Sequence, residues 1–133
     1  MEWFTKKLKA NRGFRFKYRA WVNGIRRCEY CSCQLHWNRN SPNYVTLDHM
    51  VCKKHGAGIG WGNFLIVCES CNTERGSTPF LEWIIQKRFS NRDYLVTRYL
   101  ETLKNLRDIN AMIKIDIKAE LKKARLIIHE QNS

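Results

Sequence analysis

A small α+β fold pinned by a metal ion is what the sequence predicts, and three observations carry that prediction. Two Cys-x-x-Cys pairs, Cys28-Glu-Tyr-Cys31 and Cys68-Glu-Ser-Cys71, are separated by 36 residues. Between them lie two short β-type runs. Beyond Phe80 the chain contains neither Gly nor Pro and takes up a helical period. With 133 residues, one domain with appendages is expected, and its core is small enough for a metal to matter against chain entropy.

The expected order is a basic aromatic arm over 1–27, a core over 28–79 and a helical extension over 80–133. In the arm, Phe14, Arg15, Phe16, Lys17, Tyr18, Arg19 and Trp21 interleave rings with cations. Such a stretch can pack its rings on a core while its cations face phosphates; an ordinary amphipathic segment has the same pattern. Asn23-Gly24 marks a turn ahead of the first cysteine pair.

Tyr44 to Leu47 is the first β run and ends at Asp48-His49. The glycine-rich stretch from His55 to Gly62 reads as a loop, and Phe64 to Val67 is the second run. Ser77 or Thr78 is the expected N-cap, with Pro79 in the first turn, of a helix over about 80–89. Ser90-Asn91 breaks it before a new start at Asp93.

From there Val96, Tyr99, Leu103, Leu106, Asn110, Ile113, Ile117, Glu120, Ala124 and Ile127 form a heptad-like seam, apolar at eight of ten positions. The seam suits a long helix packed on another helix. Its partner is either a second copy, in a homodimer through residues 93–129, or the chain's own domain.

No apolar run approaches the ~20 residues of a membrane span, and the first residues lack the apolar stretch of a secretory signal. A cytoplasmic setting is expected, without a membrane partner. There the six cysteines serve as metal ligands or buried thiols rather than disulfides. Two Cys-x-x-Cys units can arrange four thiolates around one zinc ion, so Cys28, Cys31, Cys68 and Cys71 are the expected ligands. Four thiolates fill the coordination sphere and make this zinc structural. A redox role for the pairs is the lesser alternative. Cys33 is close enough in sequence to compete with Cys31, and Cys52 is most simply a buried small hydrophobe.

The formal net charge is +12, and it is unevenly spread. Residues 1–27 hold nine Lys/Arg against one Glu, residues 28–79 balance four against four, and residues 80–133 hold eleven against seven. A neutral centre between basic arms suits a chemical site held against a polyanion, since each cation that reaches a phosphate adds salt-dependent affinity. A solvated basic surface without a ligand is the alternative.

Hydrolysis of a phosphodiester needs a base that deprotonates water and a cation that neutralises the leaving oxygen. His49 suits the first task. Asp48 and the amide oxygen of Asn72 are hard ligands for the cation. Successive strand residues point to opposite faces, so Asp48 and His49 converge only if the strand bends or ends there.

The order CEYC, TLDHM, GNFLIVCESCNTERGSTP resembles the HNH endonucleases, the ββα-metal or His-Me finger group, over residues 21–81 or so. Its four-cysteine version is similar to phage junction resolvases of the endonuclease VII type. The resemblance implies a β-hairpin and one helix around a catalytic magnesium or manganese ion, DNA as the substrate, and a phage or mobile-element setting. It implies Asp48 and Asn72 as ligands of that ion and His49 as the general base. Asn63 would brace the loop and orient His49 through backbone hydrogen bonds.

The sequence departs from the common pattern after Asp48-His49. Many relatives carry a proline, a basic residue and paired glycines there, whereas this chain runs MVCKKHGAGIGWG. Lys53, Lys54, His55 and Arg75, with Arg15, Lys17 and Arg19 of the arm, are the candidate phosphate contacts. His55 is a lesser candidate for a third metal ligand, and His36 and His129 have no site-like context. Three alternatives share parts of the pattern: a zinc-dependent nucleic-acid-binding module without catalysis, a protein scaffold acting through residues 93–129, and a nuclease acting on RNA.

Overall fold

A computed structural model of the chain describes residues 11–52, 55, 56, 58, 62–109 and 112–131. Its elements in order are α1 (Arg12–Val22), β1 (Val45–Asp48), β2 (Leu65–Cys68), α2 (Glu69–Arg75), α3 (Phe80–Lys87), α4 (Arg92–Asp108) and α5 (Ile117–Gln131). This is the α+β composition expected, helices with one two-stranded sheet. Among the described residues no helix is long and apolar enough to cross a membrane. The chain divides into two compact units, Met1–Asp48 with Leu65–Glu74, and His49–Phe64 with Arg75–Ser133.

In the first unit, β1 and β2 pair antiparallel with Val45 opposite Cys68 and Asp48 opposite Leu65. All four residues of β2 are buried, which explains why Leu65, Ile66, Val67 and Cys68 form an unbroken apolar run instead of an alternating one. The loop of the first cysteine pair closes the other edge of β2. Glu29 donates its N–H to the Ile66 carbonyl at 2.9 Å, and Ile66 donates its own to Glu29 Oε2 at 2.6 Å. An edge so covered cannot pair with another chain.

The aromatic arm forms α1, capped by the Asn11 side chain, which accepts from the Phe14 N–H at 2.9 Å. Phe14 is buried and meets Trp37 edge-on, with ring centres 5.8 Å apart. The turn expected at Asn23-Gly24 ends this helix, and Gly24 takes a φ of +95° that a side chain would resist.

The second unit is helical. α4 buries Leu95, Val96, Tyr99, Thr102, Leu103 and Leu106, and packs on α5, which buries Leu121, Ala124 and Ile127. The single long helix expected from the seam is therefore two helices packed on each other. Asp116 accounts for the break, because its Oδ1 accepts from the Ala119 N–H at 3.0 Å and so caps a new helix. Asn110 of the seam lies outside the described residues.

The expected N-cap of α3 also shifts. Pro79 occupies the cap position without a side-chain bond, while the Thr78 N–H donates to the Arg75 carbonyl at 3.0 Å. At the far end Arg88, in the left-handed region with a φ of 52°, terminates α3.

Candidate functional site

The two cysteine pairs meet. The Sγ atoms of Cys28, Cys31, Cys68 and Cys71 all lie within 4.8 Å of one another, and Cys31 and Cys68 are 3.9 Å apart. Metal–sulfur bonds of ~2.3 Å in a tetrahedron, the zinc value, give sulfur–sulfur edges of ~3.8 Å, so the set needs only a small contraction to close on an ion. Backbone N–H groups already point at the sulfurs. Tyr30 and Cys31 donate to Cys28 Sγ, and Cys71 to Cys68 Sγ, each at 3.4 Å.

The Cys28 thiol is lowered to about 5, first by the hydrogen bond it takes from Cys71 and then by those backbone donors, with burial opposing. Cys71 is correspondingly held up by its bond to Cys28 and by burial, and Cys68 by burial and the Cys28 charge. One thiolate thus obstructs the next until a cation relieves the set, which is what a metal centre requires. Cys33 sits outside it, pushed well up by burial and then by Cys31 and Cys68.

Asp48 and Asn72 belong to the same unit as the thiols. Asp48 is the last residue of β1 and only 7% exposed. Tyr30, buried between the first two cysteines, donates its hydroxyl to Asp48 Oδ2 at 2.5 Å. Sequence reasoning missed Tyr30; the available signal was a tyrosine inside a metal knuckle, whose hydroxyl must find a partner once its ring is buried.

Asn72, in the first turn of α2, donates Nδ2 to Thr46 Oγ1 at 3.0 Å and to the Leu47 carbonyl at 3.1 Å. Because a carbonyl can only accept, this contact fixes which end of the amide is nitrogen and turns Oδ1 away as its acceptor. A carboxylate on β1 and an amide oxygen on α2 are hard donors of the kind that magnesium or manganese takes.

His49, Asn63 and Arg75 belong to the second unit. β1 ends between Asp48 and His49, so the strand alternation that would oppose them stops at that point. Arg75 is buried, 1% exposed. It donates Nη1 to the His49 carbonyl at 2.6 Å, Nη2 to the Met50 carbonyl at 2.9 Å and Nε to the Thr78 carbonyl at 3.0 Å. The expectation of Arg75 at a phosphate is therefore corrected: its rigid five-donor fork clamps the backbone that carries His49.

Asn63, fully buried, accepts from the Val51 N–H at 2.8 Å and donates to the Val51 and Gly58 carbonyls at 3.0 and 2.8 Å. Its brace falls on Val51, two residues past His49, and Arg75 supplies the contact to His49 itself. Cys52, expected to be buried, is partly exposed, with Sγ 3.9 Å from Arg75 Nη2.

Of the other candidate phosphate contacts, Lys53 and Lys54 lie outside the described residues. His55 is half-buried in a short turn, its carbonyl accepting from the Lys114 N–H at 2.8 Å. Arg15 and Arg19 are exposed on α1. Lys17 instead turns inward, donating Nζ to the Tyr44 hydroxyl at 3.0 Å and to the Val45 carbonyl at 3.2 Å.

Residues 28–78 match the family model described as HNH endonuclease. That stretch contains the four clustered thiols, Asp48, His49, Asn63, Asn72 and Arg75, and it points to a nuclease or nucleic-acid-related function. No curated protein and no solved structure matches the chain.

Proposed function

We propose that the protein is an endonuclease that hydrolyses DNA phosphodiester bonds, with zinc on the four thiols and magnesium or manganese on Asp48 and Asn72. One observation carries this reading. Within the segment matching the HNH family model, Tyr30 orients the Asp48 carboxylate and Asn72 is pinned by its amide nitrogen to the adjacent strand residues.

A divalent ion bound there supplies charge neutralisation for the scissile phosphate and the leaving oxygen. The remaining tasks fall to the chain. His49 accepts the proton of the attacking water through an imidazole nitrogen, a task suited to this side chain near neutral pH. Arg75 and Asn63 fix the backbone at 49–51 so that the base need not be ordered during the reaction. Tyr30 keeps one carboxylate oxygen occupied and so sets the direction of the other, the orienting role that outer hydrogen bonds play around metal ligands. The basic arm attracts the polyanion.

The experiment is incubation of the protein with supercoiled plasmid, with no added ion, with magnesium and with manganese. Because the four-cysteine arrangement resembles the phage resolvases, a four-way DNA junction is tried beside the plasmid. Nicked, linear or resolved product only in the presence of an ion is expected. Salt-sensitive binding without cleavage on either substrate would replace the nuclease with a nucleic-acid-binding module.

A further inference from the structure

Beside α1 and β1, within the first unit, lies an open cavity of about 240 Å³ whose wall includes Phe14, Lys17, Arg39, Tyr44 and Thr46. None of its lining residues is acidic. Pockets for whole small-molecule ligands run from about 300 to 1,000 Å³, so this one suits a phosphate with part of a sugar better than a complete nucleotide.

Lys17 Nζ donates to the Tyr44 hydroxyl at 3.0 Å in its wall, and Arg39 lines the same cavity. Burial alone would raise the Tyr44 phenol, but hydrogen bonds and charge from Lys17 and then from Arg39 outweigh it and lower the group. Packing alone accounts for Lys17, whose ammonium lies over the rings of Tyr44, Trp37 and Phe14 at 4.7, 5.5 and 5.9 Å. It does not account for Arg39, an exposed residue that lines the same cavity. The floor is shared with the candidate chemistry, since Thr46 Oγ1 is the acceptor of the Asn72 amide at 3.0 Å.

We propose that this cavity is a site for a backbone phosphate of DNA, held by the charges of Lys17 and Arg39 and by the hydroxyl of Tyr44. The phosphate is held against the strand residues that position Asn72. The proposal rests on DNA being the substrate, and it adds a gripping point that the candidate active-site residues do not supply.

Arg39→Ala is the test, because Arg39 is exposed and its removal spares the fold. Affinity for a fluorescently labelled duplex is measured by anisotropy across a range of salt, without added divalent ion so that nothing is cut. Each phosphate contact contributes about 0.9 to the slope of log affinity against log salt. Arg39→Ala is expected to flatten the slope by about that amount. Arg39→Lys should restore it, and Tyr44→Phe should weaken binding with the slope kept. Lys104→Ala, an equal loss of charge on the exposed face of α4, is expected to leave the slope unchanged.

An unchanged slope in Arg39→Ala, or an equal fall in Lys104→Ala, would overturn the phosphate site. If the parent cleaves DNA in that case, the nuclease stands without the site. An Arg39-dependent slope in a protein that never cleaves would keep the site and remove the nuclease. Absence of any DNA binding by the parent would remove both.

Discussion

Tyr30 and Arg75 are each 1% exposed, and each holds a residue on which the proposed chemistry depends. Tyr30→Phe keeps the ring and the thiols and deletes only the hydroxyl bonded to Asp48. Loss of such an outer partner typically costs 10–100-fold in metal affinity; the midpoint of cleavage against magnesium concentration should rise by about that factor, while the melting temperature moves little. A midpoint equal to the parent's would remove Tyr30 from the account. Arg75→Ala leaves the carbonyls of His49, Met50 and Thr78 without their donor. At about 1–3 kcal/mol for each buried unsatisfied group, urea unfolding should show a loss of several kcal/mol, and Arg75→Lys should recover only part of it. An alanine variant as stable as the parent would contradict the clamp. Both roles escaped the sequence for one physical reason: the Asp48 carboxylate and the His49 and Met50 carbonyls are brought close by folding from 18 to 26 residues away. Arginine beside a metal knuckle reads as a surface cation until its burial is known.

At the scale of elements, local signals were the legible part. The two β runs pair as expected, each boundary one residue later than its composition indicated, because pairing register decides where a strand ends. The thiol cluster was readable from spacing alone, since only a returning chain brings two such knuckles together. The break between α4 and α5 was not read, because the apolar period continues through it while Asp116 caps a new helix beyond it. Asp116→Ala should therefore cost about 0.5–2 kcal/mol in urea unfolding, and a variant as stable as the parent would show that the cap contributes nothing. The thiol centre gives the larger effect. Structural ions of this kind contribute on the order of 10 kcal/mol to small domains, so a chelator should unfold the first unit. Acid should act in the same direction. Cys28 is held at about 5 in the fold against 9.0 unperturbed, so its contribution to stability is complete above about pH 9 and is lost as the pH falls through about 5. Protons compete with the ion for the four thiols, so acidification should also release zinc, followed with a metal indicator. A protein that binds no ion, or one that melts identically after chelation, would show that the cluster is not a metal staple.

For the whole molecule, the net charge of +12 and the HNH match over residues 28–78 point the same way, toward a nuclease or nucleic-acid-related function. Charge alone cannot separate binding from hydrolysis, because both draw cations to phosphates. That distinction rests on one side chain, His49, which follows directly after the strand that carries Asp48. The measurement is the rate of plasmid nicking by His49→Ala beside the parent, in magnesium, with and without added imidazole. General-base catalysis contributes about 10²–10⁴-fold. The variant should lose activity by a factor in that range, keep its zinc content and DNA affinity, and regain part of the rate when imidazole is supplied from solution. Nicking by His49→Ala at the rate of the parent would contradict the assignment of the base, and with it the proposed mechanism.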